Sequence, residues 1–327
     1  MPANAQHLIA LPAAALAWLG RQGTRAIAAL VFIGIAIPPL GAMLKPYVTE
    51  AVFVLLVISF MRVDVATMRG YLARPALVIG ATLWSTIAVP LLFGIGGVAS
   101  GLDKSAPDLF LGLMLQAVAS PMMASPALVA LMGLDATLVL ITLVTSTALV
   151  PLSAPLFAYL FFGNALTLSP LALGLKLFAI LAGAILAATV IRRLAGAAAI
   201  VRHKHAIDGF NILVLLVFVS AVMGTVAASF WAQPLHVLML TVFAFVVFAV
   251  LLSVTTLVFR KAGRERALAL GLMASQRNMG LMLAGTDGVL PGLTWLYFAL
   301  AQFPIYLSPQ LLKPLVRRLR AASTAPP

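Results

Sequence analysis

Apolar stretches of about twenty residues succeed one another along nearly the whole chain, and that is the length a helix needs to cross the hydrocarbon core of a bilayer. Inside a bilayer every backbone polar group must be bonded within the protein, so the pattern admits spanning helices and no open sheet. The 24 glycines and 20 prolines sit inside the apolar runs, as membrane helices tolerate, and do not gather in linkers. With 63% of its 327 residues hydrophobic and 9% charged, the chain leaves no room for a soluble domain. These features predict an all-α membrane protein. Its ten transmembrane helices are expected over 25–44, 48–62, 74–99, 107–132, 136–162, 168–191, 207–229, 235–259, 266–285 and 289–312.

The net charge of +13 follows the same layout. With the N-terminus in the cytoplasm, all of the 21 Lys and Arg residues except Lys45, Lys104, Lys176 and Arg277 fall in cytoplasmic segments, and both termini lie on that side. The basic excess is then orientation and contact with anionic headgroups of the lipid bilayer, and no nucleic-acid partner is expected. The expected location is the inner or plasma membrane. Residues 1–24 are Ala-rich and followed, not preceded, by arginines, so they read as an N-terminal interfacial helix and not a secretory signal. The stretch 62–74 reads as a connector along the cytoplasmic surface. The end of the chain, 316–327, reads as a basic, disordered tail. Zero cysteines remove disulfides, thiolate metal sites and cysteine nucleophiles.

The two halves, 25–162 and 163–315, resemble each other weakly. An offset of about 153 residues places Ser125 opposite Asn278 and Pro151 opposite Pro304, and brings Pro155 within one position of the equivalent of Pro309. Five spans per half is an odd number, so the second half enters the membrane from the opposite side and the repeat is inverted.

Two segments interrupt this apolar background. In Ser120-Pro121-Met122-Met123-Ala124-Ser125-Pro126, prolines five residues apart remove backbone donors and clash with the preceding turn, so span four is expected to break near its middle. Freed carbonyls and the hydroxyls of Ser120 and Ser125 become available there, although serines also bond their own helix at a simple proline kink. In span nine, Ser275-Gln276-Arg277-Asn278 lies within the run from Ala267 to Gly285. A continuous helix would spread Gln276, Arg277 and Asn278 over about 200 degrees of its circumference and force one of them toward lipid. An arginine at mid-membrane costs roughly 2.5 to 3.5 kcal/mol on insertion scales, so Arg277 is expected to face protein, water or an anionic partner beside a second local break. Gly271 and Gly280 would ease that break.

Taken together, the ten spans, the inverted repeat, the Ser120-to-Pro126 break, the span from Thr142 to Pro155 and the Asn278-Met279-Gly280-Leu281 segment resemble the bile acid:sodium symporter superfamily over roughly residues 25 to 315. The resemblance implies a core of spans three to five and eight to ten and a panel of spans one, two, six and seven. It also implies discontinuous helices four and nine crossing beside the substrate cavity, and sodium-coupled uptake of an organic anion. The chain departs from the family where sodium would be held. Ser125-Pro126 stands where a Ser-Asn pair is usual, and Met273, Ser275 and Arg277 stand at the glutamate, glycine and glutamine of the second break. Val139 and Leu143 replace hydroxyl residues of span five, and Ser85 replaces a glutamine of span three. A guanidinium beside these positions would repel a hard cation that needs oxygen donors.

The function expected is therefore secondary transport of a small organic anion, independent of sodium, with the Arg277 charge standing in for the ion. Arg277 either meets the substrate or only caps carbonyls of the broken span four. A sodium-coupled symporter and an anion channel are the alternatives, and a channel would need a continuous polar lining. Thr142, Thr145, Ser146 and Thr147 of span five, Asn211 of span seven, Gln116 and Gln302 are further polar lining or helix-to-helix hydrogen bonds. Lys176 either snorkels to the outer surface or lines the cavity, where it could carry a coupling proton. The four histidines and eight acids fall at or beyond span ends, so no catalytic or metal-binding constellation forms and no cofactor is expected.

Overall fold

A computed structural model describes residues 3–62, 75–162 and 169–324, and among these it is almost entirely helical, with no strand. The expected connector at 62–74 lies, apart from Arg62, outside the described residues. Among the described residues, six helices are long and apolar enough to cross a membrane. The chain divides into two compact units, residues 1–63 with 180–231 and residues 64–179 with 232–327.

In the first unit, α1 (Ala3–Gln22) and α2 (Thr24–Ala36) are separated at Gly23, whose φ of 51° lies in the left-handed region that glycine adopts freely. The N-terminal segment expected at the membrane surface packs here against α10 (Lys204–Met223), antiparallel to it, with Leu16 beside Gly209 and Gly20 beside His205. Small residues on both helices permit that backbone contact. The chain then turns at Ile37 and enters α3 (Pro38–Leu44), since a residue before proline is driven out of the helical region and proline suits a first helical turn. Gly34 and Gly41 both pack on the Ser220–Gly224 end of α10, so the reversal lies between them. This corrects the expected spans 25–44 and 48–62. Lys45-Pro46-Tyr47 is only a tightened turn leading into α4 (Val48–Met61), and Pro38–Met61 is one apolar length.

The second unit contains α5 (Pro75–Ala99), α6 (Pro107–Val118), α7 (Ser125–Leu131), α8 (Ala136–Phe162), the start of α9 (Pro170–Ala195), α11 (Pro234–Val258), α12 (Arg264–Ser275), α13 (Met279–Gly285) and α14 (Gly292–Thr324). Large apolar side chains stay exposed on α5 at Ile79, Leu83, Ile87, Leu92 and Ile95, a stripe suited to acyl chains. Its spacing widens between Ile87 and Leu92 because Trp84–Ala88 forms a wider, π-helical turn. By contrast α13 is buried at every residue, as expected of a helix apolar all round. The core of the unit gathers Leu138, Val139, Leu270, Leu272 and Met273. Helix α14 runs through the expected tail as far as Thr324, in a stretch rich in strong helix formers, and residues 325–327 lie outside the described ones.

Candidate functional site

Both expected breaks are present, and they meet. Helix α6 ends at Val118 and α7 begins at Ser125; α12 ends at Ser275 and α13 begins at Met279. Ser120 precedes proline and is pushed toward extended backbone, while Pro121 has no N–H to continue α6. The two open stretches pair antiparallel, with Pro121 opposite Arg277. Met122 N–H donates to the Gln276 carbonyl at 2.8 Å, and Asn278 N–H donates to the Ser120 carbonyl at 2.7 Å. Irregular backbone this deep in the unit is thereby satisfied by protein. Pro126, expected as a kink, instead occupies the first turn of α7, where a missing N–H costs nothing.

Arg277 is 1% exposed. Its Nη1 donates to the Ser85 hydroxyl at 2.9 Å, the Ser85 carbonyl at 3.2 Å and the Ala119 carbonyl at 3.0 Å. The Ser85 carbonyl is free because of the π-helical turn. Val89 N–H bonds Trp84 instead, and the next residue that could reach it, Pro90, has no N–H. The Ala119 carbonyl closes the C-terminal end of α6, where a cation is favoured by the helix dipole. At the break where freed carbonyls were expected, those of Ala119 and Ser120 accept from Arg277 and Asn278.

Of the five N–H donors of a guanidinium, only the two on Nη1 are engaged, and both Nε and Nη2 lack a partner. No carboxylate pairs with Arg277 among the described residues. The acids that form ion pairs do so elsewhere, Asp208 with Arg62, Asp135 with Arg266 and Asp287 with Lys176. Burying an ion without a counter-charge carries an effective penalty of several kcal/mol. The unpartnered donors Nε and Nη2 are closed off from solvent.

The other face of the ribbon is a neutral network. Ser125 Oγ donates to Gln276 Oε1 at 3.1 Å, and Gln276 Nε2 donates to Ser308 Oγ at 3.1 Å. Ser120 Oγ, Thr142 Oγ1 and Ser146 Oγ are buried without partners, whereas Thr145 bonds the Ile141 carbonyl and shares a 2.7 Å contact with Thr82. Asn278 is half-buried beside the break, and Gln116 accepts from the Tyr297 hydroxyl. Asn211, expected as lining, is half-buried on α10 and belongs to the first unit. Lys176 pairs with Asp287 in the turn after α13. No group of His, Asp and Glu among the described residues could hold a metal.

Three features of this region escape a reading of the sequence: the π-helical turn, Ser308 as the partner of Gln276, and an apolar cavity of about 350 Å³ lined by Leu111, Met114, Val118, Phe157 and Met282 among others. The first had a signal, the five-residue step from Ile87 to Leu92 just around Pro90. Compared with known proteins, the chain matches no family model and no curated sequence.

Proposed function

We propose that the chain is a secondary carrier of a small organic anion, working by alternating access and without sodium. The observation that carries this reading is the buried guanidinium of Arg277, held by Nη1 with Nε and Nη2 unpartnered and no carboxylate paired to it. An intramembrane cation of this kind is a functional site unless its charge is met by protein. The crossing of two interrupted helices supports it, because carriers commonly place such breaks at the binding site. So does the division into two compact units, which alternating access requires. The inverted ten-span plan belongs to the same proposal, with α6–α7 and α12–α13 as spans four and nine.

Sodium does not fit this crossing. The positions that the family resemblance assigns to oxygen ligands carry the buried apolar side chains of Val139, Leu143 and Met273, and the Ser85 and Ala119 carbonyls accept from Arg277. The test is uptake of a panel of labelled anionic metabolites into proteoliposomes, with and without sodium, for the wild type and Arg277→Gln. Saturable uptake with counterflow, unchanged by sodium and lost in Arg277→Gln, is expected. Strict sodium dependence refutes the coupling, and ohmic current far above carrier rates refutes the carrier.

A further inference from the structure

The free atoms of Arg277 also specify which anion it takes. We infer that the site receives a single monoanionic carboxylate through the Nε–Nη2 edge of Arg277, an inference that rests on the carrier reading. Three contacts from Nη1, to two oxygens of Ser85 and one of Ala119, fix the plane of the guanidinium from one side. It cannot swing to offer both terminal nitrogens. What remains is the lateral edge, where Nε–H and one Nη2–H run parallel, and both atoms are buried and unpartnered. Two parallel donors match the two oxygens of a carboxylate in a bidentate pair, a geometry a spherical halide cannot use.

Charge narrows the class further. Among the described residues, the hydrogen bonds of the crossing involve one cation, Arg277, while Lys176, Arg266 and Arg62 are each paired with an acid. A monoanion neutralises it. A phosphate monoester or a dicarboxylate would leave an uncompensated negative charge in a dry site, which costs several kcal/mol. The neighbouring polar groups, Gln276, Ser125 and Ser308, are bonded to one another and offer no second cation.

The test uses the full chain in detergent with acetate, acetamide and methyl phosphate, the last a dianion for much of its population at neutral pH. Binding is read by calorimetry and by the 15N resonance of the Arg277 Nε–H group. Acetate is expected to bind and to shift that resonance, acetamide and methyl phosphate are not, and Arg277→Lys should weaken acetate at least tenfold while unfolding as the wild type does. Methyl phosphate binding as well as acetate overturns the carboxylate assignment and leaves an anion carrier standing. Acetate affinity unchanged in Arg277→Lys overturns the role of the lateral edge. If the metabolite panel is transported but acetate does not bind, this inference alone falls; if no anion is bound or transported, the carrier reading falls with it.

Discussion

Replacing Arg277 by Met removes the charge and all five donors while keeping an unbranched side chain, and the contacts of this one residue let the outcome be worked through. Three acceptors lose their donor, the Ser85 hydroxyl, the Ser85 carbonyl and the Ala119 carbonyl. The hydroxyl can turn back to a carbonyl of its own helix, as Thr86 does with Thr82. The two carbonyls cannot, because Pro90 has no N–H and the Met122 N–H is committed to the Gln276 carbonyl, so together they cost about 2–6 kcal/mol as buried acceptors left unmet. Against this, Met relieves the burial of an unpaired ion, worth several kcal/mol in the opposite direction. The ligand-free variant is therefore expected within about 3 kcal/mol of the wild type in denaturant unfolding in detergent, since two opposed terms of similar size nearly cancel. Added anion separates the two proteins. At one hundred times its Kd, a ligand stabilises the wild type by about 2.7 kcal/mol and should stabilise the variant not at all. A ligand-free loss beyond about 5 kcal/mol, with the ligand-induced gain intact, would mean that Arg277 is a structural cap and nothing more.

Three smaller perturbations probe the elements around it. Pro90→Ala restores an N–H that can claim the Ser85 carbonyl, so Nη1 loses one of its anchors and anion affinity should fall roughly tenfold, the size of one charge-assisted hydrogen bond; calorimetry showing equal affinity would contradict this account of the π-helical turn. At Gly271 an added Cβ would meet the Leu252 carbonyl of α11 at 2.7 Å, so Gly271→Ala should cost about 1–3 kcal/mol by overpacking, read as a lower Tm. An unchanged Tm would show that α12 and α11 are not in backbone contact. Lys176 and Asp287 are 28% and 62% exposed, so a double-mutant cycle with Lys176→Met and Asp287→Asn should give about 1 kcal/mol or less, shrinking as salt is added. A coupling of several kcal/mol would place the pair out of water.

The parts of the fold legible in the sequence are those set by one residue type acting locally. Prolines at 121 and 126 and three consecutive polar residues at 276–278 announce the two breaks, because each makes a continuous apolar helix untenable. The ends of α5, α8 and α11 follow from apolar length alone and fall within a residue or so of expectation. The first reversal was misplaced because Lys45-Pro46 looks like a loop, while the Pro38-Pro39 pair that starts a helix is itself apolar and hidden in the run. Nor could the sequence say where Arg277 would point. That depends on Ser85, nearly two hundred positions away, and on a carbonyl whose freedom arises only once the turn at Trp84–Ala88 widens opposite Pro90.

The choice of arginine at this crossing follows from counting donors and acceptors. Pro90 and Pro121 each delete an N–H while leaving a carbonyl, and the ribbon between the two breaks forms only the bonds from Met122 and Asn278, so the crossing holds more acceptors than donors. Glutamine would add two donors but also a new acceptor, and lysine would add three donors without the planar fork. A guanidinium adds five donors and no acceptor, which is why its Nη1 can meet three oxygens from two separate helices. It also brings a full charge that neutral carbonyls only partly offset, and the described residues around it hold no acid to pair with it. Correcting the hydrogen-bond imbalance of a proline-rich crossing thus creates a charge imbalance, which the anion proposed to bind at the free edge of Arg277 would remove.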